Sequence, residues 1–230
     1  MPLTRDIAPA AGGRLATASA LIRPLAHAVD WVPLAVTIPL SLGMAGFGAS
    51  QPDVALTCVR FSAVLLAAAA AFALIDPMDA STAALPVPRS HRQWLRTLLA
   101  LAAVAGTWAA IVVLVGAACP ATLPWGGLTL EAAVLTVTTL AATARATHHV
   151  PDKPAALTGI ATTLLLTAAA LPLPTTMWAA PGDPAWSDSH RQWGAALLLA
   201  LPALLRANAH SPASPVPILS RVLARRPRET

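Results

Sequence analysis

The sequence predicts an all-α membrane protein with six transmembrane helices and both termini on the cytoplasmic side. Hydrophobic residues make up 56% of the chain and charged residues only 11%, whereas a soluble domain is about 25% charged. The apolar residues form long runs, and the basic residues lie mostly in the gaps between them. A soluble globule of this length cannot bury so much apolar surface, so we expect a multi-pass protein of the cytoplasmic membrane.

Six apolar runs define the predicted helices. Spanning the hydrocarbon core takes about 20 apolar residues in a helix, and the runs lack the alternation that is typical of a membrane β-barrel. The fifth and sixth runs have the shortest apolar cores. In chain order the predicted spans are Asp30–Gly48, Val54–Ile75, Trp94–Ala118, Gly127–Ala146, Ala155–Leu171 and Trp193–Leu205.

The basic residues predict the orientation of these spans, because cytoplasmic loops carry an excess of Lys and Arg. Of the 15 Lys and Arg residues, all but Arg60 and Arg191 lie in segments on one side of the predicted membrane. Both termini are therefore expected in the cytoplasm. Residues 1–29 form a cytoplasmic or interfacial segment in this scheme, 30–206 the six-helix transmembrane domain, and 207–230 a basic cytoplasmic tail.

Motifs of common enzyme classes are missing from the chain. It has no P-loop for ATP, no H-E-x-x-H, no G-x-S-x-G and no C-x-x-C. His148 and His149 are adjacent and would point about 100° apart on a helix, so solvated interfacial residues are expected there rather than a metal site. We expect no catalytic activity, metal or cofactor in this chain. No nucleic-acid partner is expected either, since membrane topology explains the basic residues.

Two charged residues lie well inside the predicted spans. Arg60 is about six residues into the second span and Glu131 about four into the fourth, so both lie ~6–9 Å below the outer boundary. A charge in the hydrocarbon costs at least ~2.5–3.5 kcal/mol on insertion scales, so it usually faces a partner or water. Matching depth predicts an interhelical ion pair, which either holds two helices together or forms an outward-facing gate or substrate contact. In a third alternative Arg60 extends unpaired to the surface.

Tryptophan and cysteine positions allow two smaller predictions. Trp31, Trp94 and Trp193 each stand next to a predicted span, as interfacial anchors do. Cys58 and Cys119 both lie near the outer side, where a disulfide is geometrically conceivable but two unpaired cysteines are commoner.

The connection between the second and third predicted spans is the most distinctive stretch, LIDPMDASTAALPVPRSHRQWLR. Asp76 and Pro77 end the second helix, DASTAAL has an N-cap pattern with helix-favouring residues, and PVPR ends it. We expect a short cytoplasmic helix that docks into a groove on a soluble partner. Its candidate contact residues are Asp76, Asp79, Ala83, Ala84, Leu85, Pro86, Arg89 and Arg92.

This stretch resembles a known family. The pattern D-P…T-A-A-L-P-x-P-R…W after a span, and the later DPAWSDSHRQW, are similar to those of actinobacterial ABC-transporter permease subunits, over about Asp30 to Leu205. The resemblance implies six spans, ATP bound and hydrolysed on another chain, and a dimer with a second copy or a homologue. Only the coupling role of Asp76–Arg92 transfers, and the short fifth and sixth spans depart from the family pattern.

The expected function is therefore the transmembrane subunit of an ABC-type transporter, with export as the expected direction. The missing nucleotide site requires a separate soluble ATPase. The alternative is a non-transporting accessory or structural subunit of a larger membrane complex, which the scarcity of polar residues within the spans also fits. A membrane enzyme would need several carboxylates or histidines at one depth, where only Glu131 is present.

The pentapeptide SHRQW occurs twice, at Ser90–Trp94 and Ser189–Trp193, each time before an apolar run. Spans three, four and five lie between the two sites, so we expect the first copy at the cytoplasmic face and the second at the outer face. We interpret both as helix starts, in which Ser caps the helix, His and Arg reach headgroups and Trp lies at the interface. Descent from an inverted duplicated unit is the alternative.

Overall fold

The computed structural model describes residues 26–27, 29–75, 89–118, 123–150, 152–170 and 177–209. Within these ranges the regular structure is helical, without any strand, so the predicted all-α class is confirmed. The long helices of the described ranges are α1 (Val32–Ser50), α2 (Pro52–Ala70, continued by a 3-10 turn over Ala71–Leu74), α3 (Arg89–Ala118), α4 (Trp125–Ala146), α5 (Lys153–Ala170) and α6 (Trp186–Ala209).

Helices α1 to α4 are long and apolar enough to cross a membrane. Large apolar side chains face outward along α1, α2 and α3; Val36, Phe47, Phe61 and Val113 are all more than half exposed. Such an extensive apolar surface is unfavourable in water and favourable in lipid. The chain is therefore a helical protein suited to a membrane.

Helix starts coincide with prolines, which tolerate the first turn because its N–H groups have no partner inside the helix. Pro52 is the first residue of α2, and α3 begins immediately after Pro88. The observed bounds lie within two residues of the predicted ones except at the start of α3, which is Arg89 instead of Trp94, and in α6. That helix begins at Trp186 instead of Trp193 and continues to Ala209, so the first residues of the predicted tail, 207–209, belong to it.

Helix α4 lies at the centre of the bundle and packs against α2, α5 and α6. Small residues allow close contact between helices, as is typical in membranes. On α1, a Cβ at Gly48 would lie 2.9 Å from the Cβ of Cys58 on α2. On α5, a Cβ at Gly159 would overlap the hydroxyl of Thr143 on α4.

Interhelical contacts define two ends of the bundle. At one end the start of α3 meets the last turns of α4 and α6. Here Arg89 Nη2 donates to the Thr147 carbonyl at 3.0 Å, and Asn208 Nδ2 donates to Thr97 Oγ1 at 3.2 Å. We call this the basic end, because it holds Arg89, Arg92, Arg96, Arg145, Lys153 and Arg206.

At the opposite end the first turns of α6 meet the first turns of α4, next to Glu131. We call this the Glu131 end. The two copies of SHRQW therefore lie at opposite ends of the bundle, since one begins α3 and the other begins α6.

Candidate functional site

Arg60 on α2 and Glu131 on α4 form a bidentate ion pair. Arg60 Nε donates to Glu131 Oε2 at 2.9 Å, and Arg60 Nη2 donates to Oε1 at 2.8 Å. Glu131 is buried, with a side chain 2% exposed, and the Arg60 side chain is 13% exposed. Two parallel charge-assisted bonds are the strongest arrangement for these groups. The structure thus brings together the two charged residues that share a depth in the predicted spans.

The remaining Arg60 donors bind the segment that precedes α6. Nη1 donates to the Trp178 carbonyl at 3.1 Å, and Nη2 also donates to the Ala179 carbonyl at 2.8 Å. The guanidinium carbon lies 5.0 Å from the centre of the Trp178 ring, a cation–π contact. Arg60 therefore joins α2, α4 and the chain just before α6. The sequence gives no signal for these two acceptors, because every residue has a carbonyl.

His190 on α6 is a member of this cluster that the sequence reasoning missed. Its Nδ1 lies 2.8 Å from the Trp186 carbonyl, and its Nε2 lies 3.4 Å from Glu131 Oε1. The imidazole also stacks on the Trp186 ring, with centroids 3.9 Å apart. The repeated pentapeptide was the available signal, but nothing in it indicated which way the histidine faces.

Gly127 on α4 permits this approach of α6. A Cβ at position 127 would collide with His190 Nε2 and lie 2.7 Å from Cζ2 of Trp186. The neighbouring Gly126 has no such contact within 4 Å. The absence of a side chain at 127 is therefore what allows the histidine to reach Glu131.

Other residues of the second SHRQW copy also face inward. Ser189 Oγ donates to the Met177 carbonyl at 2.7 Å, and the Trp193 indole N–H donates to the same oxygen at 2.6 Å. Trp193 is fully buried and packs edge-to-face on Trp178, with centroids 5.4 Å apart. The prediction that Trp193 is an interfacial anchor is wrong, and so is the capping role of Ser189, since α6 begins three residues earlier.

Of the other two predicted anchors, Trp31 directly precedes α1 and Trp94 lies in the second turn of α3. Trp31 and Trp94 are half-buried, and the Trp31 indole N–H donates to the Ala26 carbonyl. Their contact with the membrane interface stays a prediction.

The predicted coupling segment is described only at its end. Asp76, Asp79, Ala83, Ala84, Leu85 and Pro86 lie outside the described residues. Arg89 and Arg92 begin α3 itself rather than a connection before it. Arg92 is only 8% exposed, so it offers almost no surface to a docking partner, contrary to the sequence-based expectation.

Cysteine and histidine positions settle smaller points. Cys58 is a free, buried cysteine, and Cys119 lies outside the described residues. His148 is half-buried, and its Nε2 lies 2.7 Å from the Ala207 carbonyl, so it connects α4 to α6 instead of being solvated as expected. Among the residues that the structure describes, no group of three or more His, Cys, Asp or Glu is suited to hold a metal ion.

An open crevice of about 180 Å³ lies between α3 and α4. Its lining carries no charged residue, and its most polar interaction is the Trp108 indole N–H donating to Thr129 Oγ1 at 3.1 Å. An apolar chain fits this surface better than a polar ligand does. The lining residues are Leu101, Val104, Ala105, Trp108, Thr129, Ala132, Ala133, Thr136 and Val137.

The Arg60–Glu131 cluster is built to hold segments together. Both carboxylate oxygens accept from Arg60, and Nε, Nη1 and Nη2 all donate within the protein. A group whose bonds are all satisfied inside the protein has little left with which to bind a substrate. Comparison with protein families, curated proteins and solved structures finds no match to this chain.

Proposed function

We propose that this chain is the transmembrane subunit of an ABC-type transporter, acting in export together with a separate soluble ATPase. The observation that carries the proposal is the position of the start of α3. Arg89 holds it at the basic end through the Thr147 carbonyl, next in the chain to the segment that resembles the family's coupling segment. The excess of positive charge at this end supports a cytoplasmic location for residues 76–88, where an ATPase has access.

The outward faces of α5 and α6 support six spans in the cytoplasmic membrane, with both termini inside the cell. Leu164 and Leu165 on α5 are 53% and 69% exposed, and Leu198 and Leu199 on α6 are 73% and 74% exposed. Leucines so exposed are best covered by lipid or by another transmembrane subunit. Six helices are too few to enclose a transport pathway that opens to either side of the membrane. A second copy or a homologue is therefore expected beside this subunit.

One observation favours the alternative, a non-transporting accessory subunit of a larger membrane complex. The charged cluster within the bundle is engaged in internal hydrogen bonds on α2, α4 and the segment before α6. A subunit that only packs against others needs such a structural pair and no open polar site.

Purification of the tagged chain from its own membranes distinguishes the two functions. The transporter proposal expects a soluble protein with a P-loop to co-purify in a comparable amount. Replacing Ala83, Ala84 and Leu85 together by Glu should abolish this recovery, because the three charges would disrupt an apolar docking face. The matched control places Glu at Ala180 and Ser187, which are exposed at the Glu131 end, and should leave recovery unchanged. Co-purification of a large membrane complex without any ATPase would support the accessory function instead.

Cysteine labelling tests the six-span arrangement. His91 and Gln192 are both exposed and belong to the two copies of SHRQW. In a chain whose own cysteines are replaced by Ala, an impermeant maleimide should label Gln192→Cys on intact cells, and His91→Cys only after the membrane is opened. Labelling of both from the same side would contradict six spans.

A further inference from the structure

We propose that the crevice between α3 and α4 binds one acyl chain of a membrane lipid, which enters it sideways from the bilayer. The crevice lies within the predicted third and fourth spans. The proposal concerns the chain in any membrane and does not depend on which partner binds the basic end. The bound group is the hydrocarbon chain, held by packing alone.

The crevice is a slot that runs along two antiparallel helices. It follows α3 from Leu101 to Trp108 and α4 from Thr129 to Val137, a length of about 12 Å at 1.5 Å per residue. Helix α3 packs mainly against α1 and makes few contacts with α4. This loose packing leaves the slot between them.

Packed residues close the slot at both ends. Toward the basic end, Thr97 and Leu140 are fully buried in the next turns of the two helices. Toward the opposite end, the Trp108 indole N–H donates to Thr129 Oγ1 and joins the helices. Ala105, by contrast, is exposed at the side of the slot. The slot therefore opens sideways, in the direction of the hydrocarbon.

The lining matches an uncharged, apolar ligand. All of its residues are uncharged, and its polar side chains already have partners within the protein. Trp108 Nε1 donates to Thr129 Oγ1 at 3.1 Å, and Thr136 Oγ1 donates to the Ala132 carbonyl at 2.8 Å. Apolar cavities stay dry, and an empty slot costs its lining atoms their dispersion contacts. A lipid chain restores those contacts without leaving the hydrocarbon.

The size of the crevice favours a single chain over a helix of another subunit. A helix segment about 12 Å long and about 10 Å wide fills roughly 900 Å³. The crevice measures about 180 Å³, so a helix lying beside it could insert side chains only. A flexible hydrocarbon chain can follow the slot along its whole length.

Photolabelling of the unmodified chain tests the proposal. The probe is phosphatidylcholine with a diazirine midway along one acyl chain, in bilayers that hold the full chain, and mass spectrometry locates the adducts. Val104, Thr136 and Val137 line the slot and are only 7%, 4% and 8% exposed. They should nevertheless be labelled about as often as Val113, which is 70% exposed.

The buried reference is Ala200 on α6, which is 8% exposed and does not line the slot. It should be labelled several-fold less often than the three slot residues. If Val113 is labelled and the slot residues are labelled no more often than Ala200, no lipid chain enters the crevice and the proposal is overturned.

Filling the slot tests whether the label comes from within it. Ala133→Leu places a larger side chain in the lining and should reduce the adducts on the three slot residues several-fold. The control Ala110→Leu enlarges an exposed residue of α3 outside the lining and should leave them unchanged. Undiminished labelling in Ala133→Leu would contradict the proposal. Should that variant not fold, Ala105→Leu fills the exposed side of the slot instead.

Disulfide formation tests the competing occupant, a second copy of the chain. In a chain whose own cysteines are replaced by Ala, Ala105→Cys places one thiol beside the slot. The lipid proposal expects this variant to run as a single chain after oxidation in the bilayer. Efficient linkage of two copies would place a second copy over the crevice and overturn the proposal.

Discussion

The two copies of SHRQW carry the same five residues but turn opposite faces toward the bundle. In the first copy Arg92 is buried and His91 is exposed. In the second, Ser189 and Trp193 are buried, and Arg191 is exposed. Each residue turns a helix by about 100°, so the face that points inward depends on how the helix is rotated against its neighbours. Identity of a short motif therefore does not determine the role of its residues.

The neighbours at the two ends explain the difference. At the Glu131 end, the Met177 carbonyl accepts from Ser189 and Trp193, while the Glu131 carboxylate lies beside His190. At the basic end the first copy lies at the start of α3, where Arg89 donates to a carbonyl of α4. The Glu131 carboxylate and the Met177 carbonyl therefore stabilise one orientation of the second copy. The basic end offers the first copy different partners, and so a different orientation. The predictions below test this contrast.

Replacing Glu131, the carboxylate that lies beside the second copy, should have the largest effect on stability. Glu131→Gln leaves the half-buried guanidinium of Arg60 without its counter-charge, where breaking a fully buried pair costs about 3–5 kcal/mol. Thermal unfolding in detergent measures the loss. The control Asp188→Asn breaks an exposed pair and should cost at most about 1 kcal/mol.

The same Glu131→Gln variant separates a structural pair from a gate. If the chain transports as proposed, lower thermal stability with transport intact would support the structural role. Unchanged stability with transport lost would support the outward-facing gate instead.

Conservative aromatic replacements in the two copies should have unequal effects. Trp193→Phe replaces a fully buried indole by a smaller ring and removes the N–H donor to the Met177 carbonyl, at an expected cost of about 2 kcal/mol. Trp94→Phe alters a half-buried residue and should cost under about 1 kcal/mol. Unfolding of both variants under identical conditions checks the difference, and equal losses would argue against the inward orientation of the second copy.

Adjacent glycines on α4 offer a sharper comparison. Gly127→Ala places a Cβ against His190 and within 2.7 Å of Trp186, so α6 must move away at a cost of about 1–2 kcal/mol. Gly126→Ala meets no such contact within 4 Å and should be neutral or stabilising, since Ala favours a helix. Equal stability of the two variants would show that α6 does not approach α4 as closely as described.

The helices and the charged pair are the parts of the molecule that the sequence predicts well. Apolar runs and prolines locate α1, α2, α4 and α5 within two residues, because the length of an apolar run dominates there. Arg60 and Glu131 share a depth, and few partners exist for a charge in hydrocarbon. These are one-dimensional properties, readable along the chain.

The positions of His190, Trp193 and Arg92 could not be predicted in this way. Their burial depends on helix rotation, and a run that is apolar on all sides gives no preferred face. The first two turns of α6 consist largely of polar residues, so the apolar pattern predicts a helix that starts too late, with Ser189 at its cap. Resolving such cases requires knowing which neighbouring helix supplies the acceptor.

Replacing the arginine of the second copy should have the smallest effect on stability, and replacing that of the first copy a measurable one. Arg191 is exposed and pairs with Asp188 within a single helix, so Arg191→Gln should change stability by no more than about 0.5 kcal/mol. Arg92 is buried at the basic end, and Arg92→Gln removes a desolvated cation from its surroundings, at an expected cost of at least about 1 kcal/mol. Chemical or thermal unfolding of the two variants measures the contrast. A larger loss of stability from Arg191→Gln than from Arg92→Gln would contradict the assigned orientations. It would mean that the arginine of the second copy, and not that of the first, faces the interior of the bundle.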